Sequence, residues 1–189
     1  MIDQYYRQAV LGIANAAPIK NLVQTRGYGL AKRFVAGNEL EEAISAVERL
    51  EQDRVHGILD LLGEMISTKA QSDIFVQKIL EIFPSIANKT FPKYVSIKLS
   101  QLGLDVSKEL ALENGRKILK AAQEVGAFVR IDMEDSPRVD STLEVFRTLK
   151  TEFDHVGLVL QAMLRRTERD LENLSDLKPN LRIDRKSVV

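Results

Sequence analysis

The chain has 189 residues, of which 44% are hydrophobic and 29% charged, and its 27 Lys and Arg residues balance 27 Asp and Glu residues. This neutral balance argues against nucleic acid as a partner, because phosphate binding requires a basic surplus. The absence of Cys excludes disulfides, thiolate nucleophiles and Cys-ligated metals, and two His residues are too few for a convincing metal site.

The first part of the chain is predicted to be helical. Apolar residues recur at three- and four-residue steps over residues 2–16 and 21–36, and a third amphipathic helix is predicted over about 39–51. Met1-Ile2-Asp3-Gln4 lacks the pattern of a signal peptide, and no apolar run approaches the ~20 residues of a membrane span. We therefore expect an N-terminal helical segment, residues 1–54, in a cytoplasmic protein.

From residue 55 onward the pattern alternates between short strands and helices. Apolar runs rich in β-branched residues predict strands at Gly57–Leu62, Tyr94–Leu99, Phe128–Met133, Val156–Leu160 and Leu181–Ile183. Helical patterns lie between them, at about 70–87, 108–125, 137–152 and 165–177, and Ser107 and Ser136-Pro137 are typical of helix starts. This alternation predicts a parallel α/β sheet over residues 55–183, followed by a divergent tail, residues 184–189.

The positions of polar residues favour a barrel over an open doubly wound sheet. Val95, Ile97 and Leu99 share one apolar face of the second strand, whereas Lys98 lies on the other face near the C-terminal end. Comparable positions on the other strands are held by Asp60, Asp132, Gln161 and Arg182. Polar residues at this end are typical of an active site at the top of a (β/α)8 barrel, whereas an open sheet would bury them under helices.

The predicted barrel is incomplete. A typical barrel has eight strands and roughly 250 residues, and this chain has room for about five strands. We expect a partial (TIM-like) barrel whose first and last strands have unpaired edges, and which self-associates through them or aggregates. The alternative is that the N-terminal helices, residues 2–51, fold over the open side and shield it. We also expect its inner face to be open to solvent around Ile58, Ser96, Phe128 and Val159.

Lys98 is the most informative single residue, because a Lys that ends an apolar parallel strand is difficult to explain as surface decoration. It is a snorkelling side chain, a clamp for a carboxylate or phosphate, or a desolvated amine that forms a Schiff base. Asp132 either belongs to the same site or forms a structural ion pair with Arg130. Glu134 and Asp135 are expected to favour the N-terminus of the following helix.

Two further polar residues have ordinary explanations when each is taken alone. Gln161 is then expected to be a capping or core amide, although its amide donor and acceptor could also hydrogen-bond to the edge of a heterocycle. Glu64 is expected to be a solvated acid of the loop that follows the first strand.

Four strings at successive strand ends resemble one known family. They are Asp60-Leu61-Leu62-Gly63-Glu64, Ile97-Lys98-Leu99-Ser100-Gln101-Leu102-Gly103, Arg130-Ile131-Asp132-Met133-Glu134-Asp135-Ser136 and Val159-Leu160-Gln161-Ala162. In order and spacing they resemble the flavin-dependent proline dehydrogenases, most of all the small monofunctional bacterial type. The resemblance implies a distorted (β/α)8 barrel that binds FAD and oxidises L-proline to Δ1-pyrroline-5-carboxylate. A quinone or another electron acceptor, and peripheral contact with the inner face of the membrane, are further expectations.

The resemblance also implies roles for individual residues. Lys98 matches a Lys that helps hold the substrate carboxylate, and Asp132 matches an Asp of the substrate and flavin pocket. Glu64 matches an acid that pairs with a substrate-clamping Arg. Gln161 matches a Gln that hydrogen-bonds the flavin ring, and Arg182 matches an Arg near flavin N5.

The resemblance ends after Arg182-Ile183. The family continues with Lys-Gly-Ala-Tyr, whereas this sequence has Asp184-Arg185-Lys186-Ser187-Val188-Val189. We therefore expect a truncated or frameshifted chain that retains little or no FAD and is inactive alone. Two alternatives stay open: a class I aldolase-type barrel in which Lys98 forms the Schiff base, and a non-catalytic interaction scaffold.

Overall fold

The computed structural model describes residues 36–37, 39–63 and 66–185. The helices predicted over residues 2–16 and 21–36 fall almost wholly outside these ranges. The chain divides into two compact units, residues 1–46 and 47–189, and the boundary lies inside the first described helix, α1 (Leu40–Gln52). The sheet and the site described below belong to the second unit.

Strands and helices alternate in the predicted order along the second unit. The strands are β1 (Leu59–Asp60), β2 (Tyr94–Ile97), β3 (Phe128–Ile131), β4 (Val156–Gln161) and β5 (Asn180–Asp184). The helices are α2 (Lys69–Ile86), α3 (Lys108–Glu124), α4 (Val139–Glu152) and α5 (Thr167–Leu174), with 3₁₀ turns at Ser136–Arg138 and Ser175–Leu177. The predicted elements of this region are thus confirmed, with bounds that differ by a few residues.

Local signals in the sequence account for where α2 and α3 begin. At the start of α2, Gln71 N donates to Thr68 Oγ1 at 3.3 Å and Thr68 N donates to Gln71 Oε1 at 3.2 Å, which makes a capping box. Ser107 caps α3 as predicted, because its hydroxyl accepts a hydrogen bond from Leu110 N at 3.1 Å. Each such cap stabilises the protein by about 1 kcal/mol. The caps therefore set the residues at which α2 and α3 begin.

The five strands are all parallel and lie in the order β1-β2-β3-β4-β5. A doubly wound sheet reverses its strand order at a switch point, whereas in a barrel each strand pairs with the next strand along the chain. The sequential order therefore matches a partial barrel. Within the described residues, β1 and β5 each pair with one neighbour, and self-association through their other edges stays a prediction.

The main core lies between the sheet and the helices. Val95, Ile97, Val129 and Ile131 are fully buried on the face that the alternation assigns to the helix layer, and α3 packs on β3 while α4 packs on β4. The helices contribute the buried side chains Ile79, Ile82, Ile118, Leu119, Phe146 and Leu149. Full burial of one Val, Ile, Leu or Phe side chain stabilises the fold by about 1.5–3 kcal/mol, so this layer holds the strands rigidly.

The inner face of the sheet differs in part from the prediction. Ile58 is 41% exposed and Phe128 is half-buried, as expected of a face open to solvent. Ser96 and Val159, however, are only 5% and 2% exposed, so the expectation was wrong for these two residues. For Val159 the physical reason is that Asp132 and Arg182, on the strands on either side of β4, pair across this face.

Arg130 is another long side chain that crosses the sheet. It reaches from β3 across β4 to Asn180, where Nη1 donates to the backbone oxygen at 2.9 Å and Nη2 donates to Oδ1 at 2.7 Å. Its guanidinium also lies 5.0 Å from the centroid of the Phe128 ring. Gly157 of β4 leaves the space for this crossing, because a Cβ there would lie 2.5 Å from Arg130 Nη1 and 2.6 Å from Asn180 O.

We expect Gly157→Ala to lower the free energy of unfolding by about 1–3 kcal/mol, because the added methyl group overpacks a site bounded partly by backbone. Urea unfolding followed by circular dichroism measures this. Gly126→Asn is the control, since Gly126 has a φ of +67°, which Asn tolerates, and nothing lies within 4 Å of an added Cβ. Equal losses in the two variants would contradict the proposed crossing.

Candidate functional site

Four charged side chains form a row at the C-terminal ends of the strands. Asp60 ends β1, Lys98 follows β2, Asp132 follows β3, and Arg182 lies in β5. We call these four residues the charged row. Asp132 is still tied to the sheet, because its N–H donates to Ile97 O at 2.9 Å. Parallel pairing brings residues that are far apart in the sequence together at the C-terminal end of the sheet.

Opposite charges alternate along the charged row. Lys98 Nζ lies 2.9 Å from Asp60 Oδ2 and 3.7 Å from Asp132 Oδ2, and Arg182 Nη2 donates to Asp132 Oδ1 at 3.1 Å. The Lys98 and Asp132 side chains are 22% and 18% exposed, so water screens these pairs only in part. Because β4 lies between β3 and β5, the pair of Asp132 and Arg182 passes over β4 beside Val159 and helps to bury it.

The surroundings of Lys98 keep its amine protonated. Burial by itself lowers the pKa of Lys98, but the hydrogen bond to Asp60 and the charges of Asp60, Asp132 and Glu134 outweigh burial and raise the pKa above its usual value. A Schiff-base lysine instead needs a pKa that is lowered towards neutrality. The aldolase alternative for Lys98 is therefore disfavoured, and a clamp for an anionic group is favoured.

Gln161, at the end of β4, is buried with one polar atom unpaired. Its Nε2 donates two long hydrogen bonds, to Glu134 O at 3.3 Å and to Met133 O at 3.4 Å. Its Oε1 has no hydrogen-bond partner among the described residues, although the residue is only 2% exposed. A buried acceptor of this kind costs about 1–3 kcal/mol when it is left without a donor. Gln161 is therefore a candidate for contact with a bound ligand.

The loops after β2 and β3 are joined by a contact that no local sequence pattern indicated. Glu134 accepts hydrogen bonds from Ser100 N at 2.9 Å and from Ser100 Oγ at 2.5 Å. The prediction that Glu134 favours the N-terminus of the next helix is therefore wrong, because its carboxylate turns to the neighbouring loop. Asp135 precedes the 3₁₀ turn, but its side chain pairs with Arg138 and makes no capping hydrogen bond.

Arg130 donates hydrogen bonds to Asn180 and to Leu158 O, not to Asp132. Burial and the nearby charge of Arg182 lower the pKa of Arg130, which remains far above neutrality. The hypothesis of a structural ion pair between Arg130 and Asp132 is thus wrong, because each of the two side chains has other partners. Asp132 contacts Lys98 and Arg182 instead, so it belongs to the charged row.

Most of the predicted site residues lie close together. Lys98, Asp132 and Arg182 meet in the charged row, and Gln161 borders it through the two carbonyls that follow Asp132. Glu64 lies outside the described residues. Within residues 36–37, 39–63 and 66–185, no group of three or more His, Cys, Asp or Glu side chains could hold a metal ion. In the same ranges, no helix is sufficiently long and apolar to cross a bilayer.

Comparison with protein families identifies the chain. The sequence model of the family described as proline dehydrogenase matches residues 43–181, which include every strand except the last residues of β5. The chain belongs to the proline dehydrogenase family. This membership agrees with the resemblance carried by the four strand-end strings, and it makes the chain a member of an oxidoreductase family.

Curated relatives support the small bacterial type. The chain is 45% identical to proline dehydrogenase of Deinococcus radiodurans, over 97% of this chain and 61% of that relative. It is 38% identical to proline dehydrogenase 1 of Bacillus subtilis, over 81% of this chain and 51% of that relative. The chain therefore spans between half and two thirds of the length of these relatives.

Solved structures share the fold. Proline utilization A from Bdellovibrio bacteriovorus, inactivated by N-propargylglycine, matches with a TM-score of 0.77 at 22% identity, over 88% of this chain and 21% of that chain. The protein of the same name from Corynebacterium freiburgense matches with a TM-score of 0.69 at 20% identity, over 96% of this chain and 20% of that chain. At these identities the likeness concerns the fold alone, and it confirms the predicted barrel-type α/β class.

We expect Glu134→Gln to lower the free energy of unfolding by about 1–3 kcal/mol, because the amide replaces a charged acceptor of two hydrogen bonds with a neutral one. Chemical unfolding measures the change. Glu144→Gln is the control, since Glu144 forms an exposed pair with Lys108, for which we expect less than about 0.5 kcal/mol. A loss no larger than that of the control would show that the loop contact contributes little.

Proposed function

We propose that the chain supplies the substrate-binding and flavin-binding ends of β1–β5 in an enzyme that oxidises L-proline to Δ1-pyrroline-5-carboxylate. The observation that carries this proposal is the charged row, which presents both signs of charge at the end of the strands where barrel enzymes bind substrates. Relatives named proline dehydrogenase support it. Because the chain spans only part of their length, the activity is proposed for the whole protein.

The charges of the row suit a zwitterionic amino acid. Lys98 would donate to the substrate carboxylate, since an ammonium on a partly buried strand end forms strong charge-assisted hydrogen bonds with such a group. Asp132 would face the ring nitrogen. Glu64, by resemblance, would pair with an Arg that clamps the substrate. The reaction takes a hydride from the ring carbon beside the nitrogen and a proton from the nitrogen, so the residues mainly orient the substrate and balance its charge.

The residues at the end of β4 and β5 fit a flavin. The isoalloxazine ring of FAD has one ring N–H, and the unpaired Oε1 of Gln161 is a buried acceptor for such a donor. Arg182 of the charged row, whose side chain is 43% exposed, provides a cation. FAD would supply the hydride acceptor of the reaction. Gln161 and Arg182 would hold and orient its ring.

The electron acceptor and the location of the protein also belong to the proposal. By resemblance, a quinone or another acceptor receives the electrons, and the protein is cytoplasmic with peripheral contact at the inner face of the membrane. These expectations rest on the family and not on a feature of the described residues.

We expect Lys98→Ala to weaken the binding of L-proline by about 1.5–3 kcal/mol, the range for a hydrogen bond to a charged group. This corresponds to roughly tenfold to a hundredfold in Kd. Titration calorimetry of the whole protein with L-proline measures the effect. Lys108→Ala is the control, because Lys108 pairs with Glu144 on the outside of the helix layer. Unchanged affinity in Lys98→Ala would remove the role as a carboxylate clamp.

We expect Gln161→Met to weaken FAD binding without lowering the free energy of unfolding of the flavin-free chain. The substitution removes the unpaired buried Oε1, whose cost of about 1–3 kcal/mol offsets the loss of two long hydrogen bonds. FAD binding by the whole protein is followed by the quenching of flavin fluorescence, and unfolding of the flavin-free chain is followed in urea.

Thr142→Val provides a matched control for Gln161→Met. Thr142 Oγ1 is the other buried side-chain atom without a partner in the described residues, and it lies on α4, away from the charged row. We expect Thr142→Val to stabilise the flavin-free chain and to leave FAD binding unchanged. Equal FAD affinity in both variants would contradict a flavin contact at Gln161.

A further inference from the structure

Asp60 makes the shortest contacts to Lys98 in the charged row. Lys98 Nζ donates to Asp60 Oδ2 at 2.9 Å and lies 3.2 Å from Asp60 Oδ1, whereas Asp132 stands 3.7 Å away on the other side. An ammonium group has three N–H donors. The two carboxylates therefore hold Nζ between β1 and β3. Since Asp132 lies beyond hydrogen-bond distance, an N–H of Lys98 remains available to a ligand.

The backbone on either side of this contact is tied together by Gln101. Its Nε2 donates to Leu61 O at 3.1 Å and to Gly63 O at 3.0 Å, directly after Asp60. Its Oε1 accepts a hydrogen bond from Lys98 N at 3.2 Å. Gln101 is 1% exposed, so this tether is shielded from water. The carboxylate of Asp60 is thus held in place relative to Lys98 although β1 contains only two residues.

We propose that Asp60 is a positioning residue for Lys98, which it holds protonated and aimed so that a remaining N–H can donate to a carboxylate ligand. This inference rests on the proposed function of Lys98 as the carboxylate clamp. Asp60 itself need not touch the substrate. Nothing in the sequence pattern of β1 distinguishes this role from that of an ordinary acid at a strand end.

The charges around Lys98 determine what loss of Asp60 does. Asp60 faces it from β1, and Asp132 and Glu134 face it from the segment after β3, with Arg182 of β5 beyond Asp132. Burial opposes the protonated amine, while the hydrogen bond to Asp60 and the charges of the three acids favour it. Without the charge of Asp60, we expect the pKa of Lys98 to fall. Asp132 lies 3.7 Å from Nζ and also pairs with Arg182, and Glu134 accepts hydrogen bonds from Ser100.

The first test measures Lys98 directly in the ligand-free chain. With 13C-labelled lysine, the Cε signal of Lys98, assigned through Lys98→Arg, is followed by NMR against pH. We expect its pKa to be lower in Asp60→Asn than in the original chain, and to be largely restored in Asp60→Glu, which keeps the charge. Asp73→Asn is the matched control, because Asp73 accepts a hydrogen bond from Lys69 on the surface of α2. A pKa of Lys98 that is the same in Asp60→Asn and Asp73→Asn overturns the inference.

The second test links Asp60 to ligand binding. Cyclopentanecarboxylate is the probe, because it resembles proline in shape but carries no amine that titrates over the same pH range. Its affinity should decline as Lys98 loses its proton, and we expect this decline to begin at lower pH in Asp60→Asn than in Asp73→Asn. The same pH dependence in both variants counts against the positioning role.

The two tests separate the inference from the function on which it rests. If the NMR titration shifts as expected but the whole protein without substitutions binds neither cyclopentanecarboxylate nor L-proline, the proposed function of Lys98 fails while the control of Lys98 by Asp60 stands. If ligands bind through Lys98 and the titration does not shift, the function stands and the positioning role of Asp60 is wrong.

Discussion

The attraction between Lys98 and the carboxylates on both sides of it stabilises the inner face of this sheet. Placing one of these ions alone at a partly buried strand end would cost several kcal/mol, because it would lose water without gaining a partner. The alternation of Asp60, Lys98, Asp132 and Arg182 gives each charge a neighbour of opposite sign. The sequential strand order allows this arrangement, since it sets β2 between β1 and β3.

The helix layer supports the charged row from behind. Ser72 of α2 donates to Gln101 O at 3.2 Å, and Asn114 of α3 donates to Leu102 O at 3.1 Å and to Ser72 Oγ at 3.2 Å. Ser72 and Asn114 are fully buried. Gly103, with a φ of +92°, turns the loop so that these contacts can form. The loop that carries Gln101 is therefore fixed by the core, and the position of Lys98 depends on helices that never reach the site.

The site combines satisfied and unsatisfied polar groups in a way that fits the proposed function. The charged row is formally neutral, and a zwitterionic substrate would bring one charge of each sign. Its binding would replace ion pairs within the row by ion pairs with the substrate and would add no net charge. Gln161 differs, because its buried Oε1 lacks a donor and lowers the stability of the free chain. Polar groups that cost stability in the free protein are common where a ligand completes the hydrogen bonds.

The sequence by itself determined the elements and the residue types at the strand ends. Ser107 marked a helix start and the alternation around Lys98 marked the inner face, because caps and side-chain periodicity act between residues close in sequence. Only the tertiary structure decided which partner each polar side chain takes. Glu134 binds a neighbouring loop rather than a helix end, and Arg130 crosses Gly157 to reach Asn180. These pairings depend on strand register and on the reach of long side chains, which no local pattern encodes.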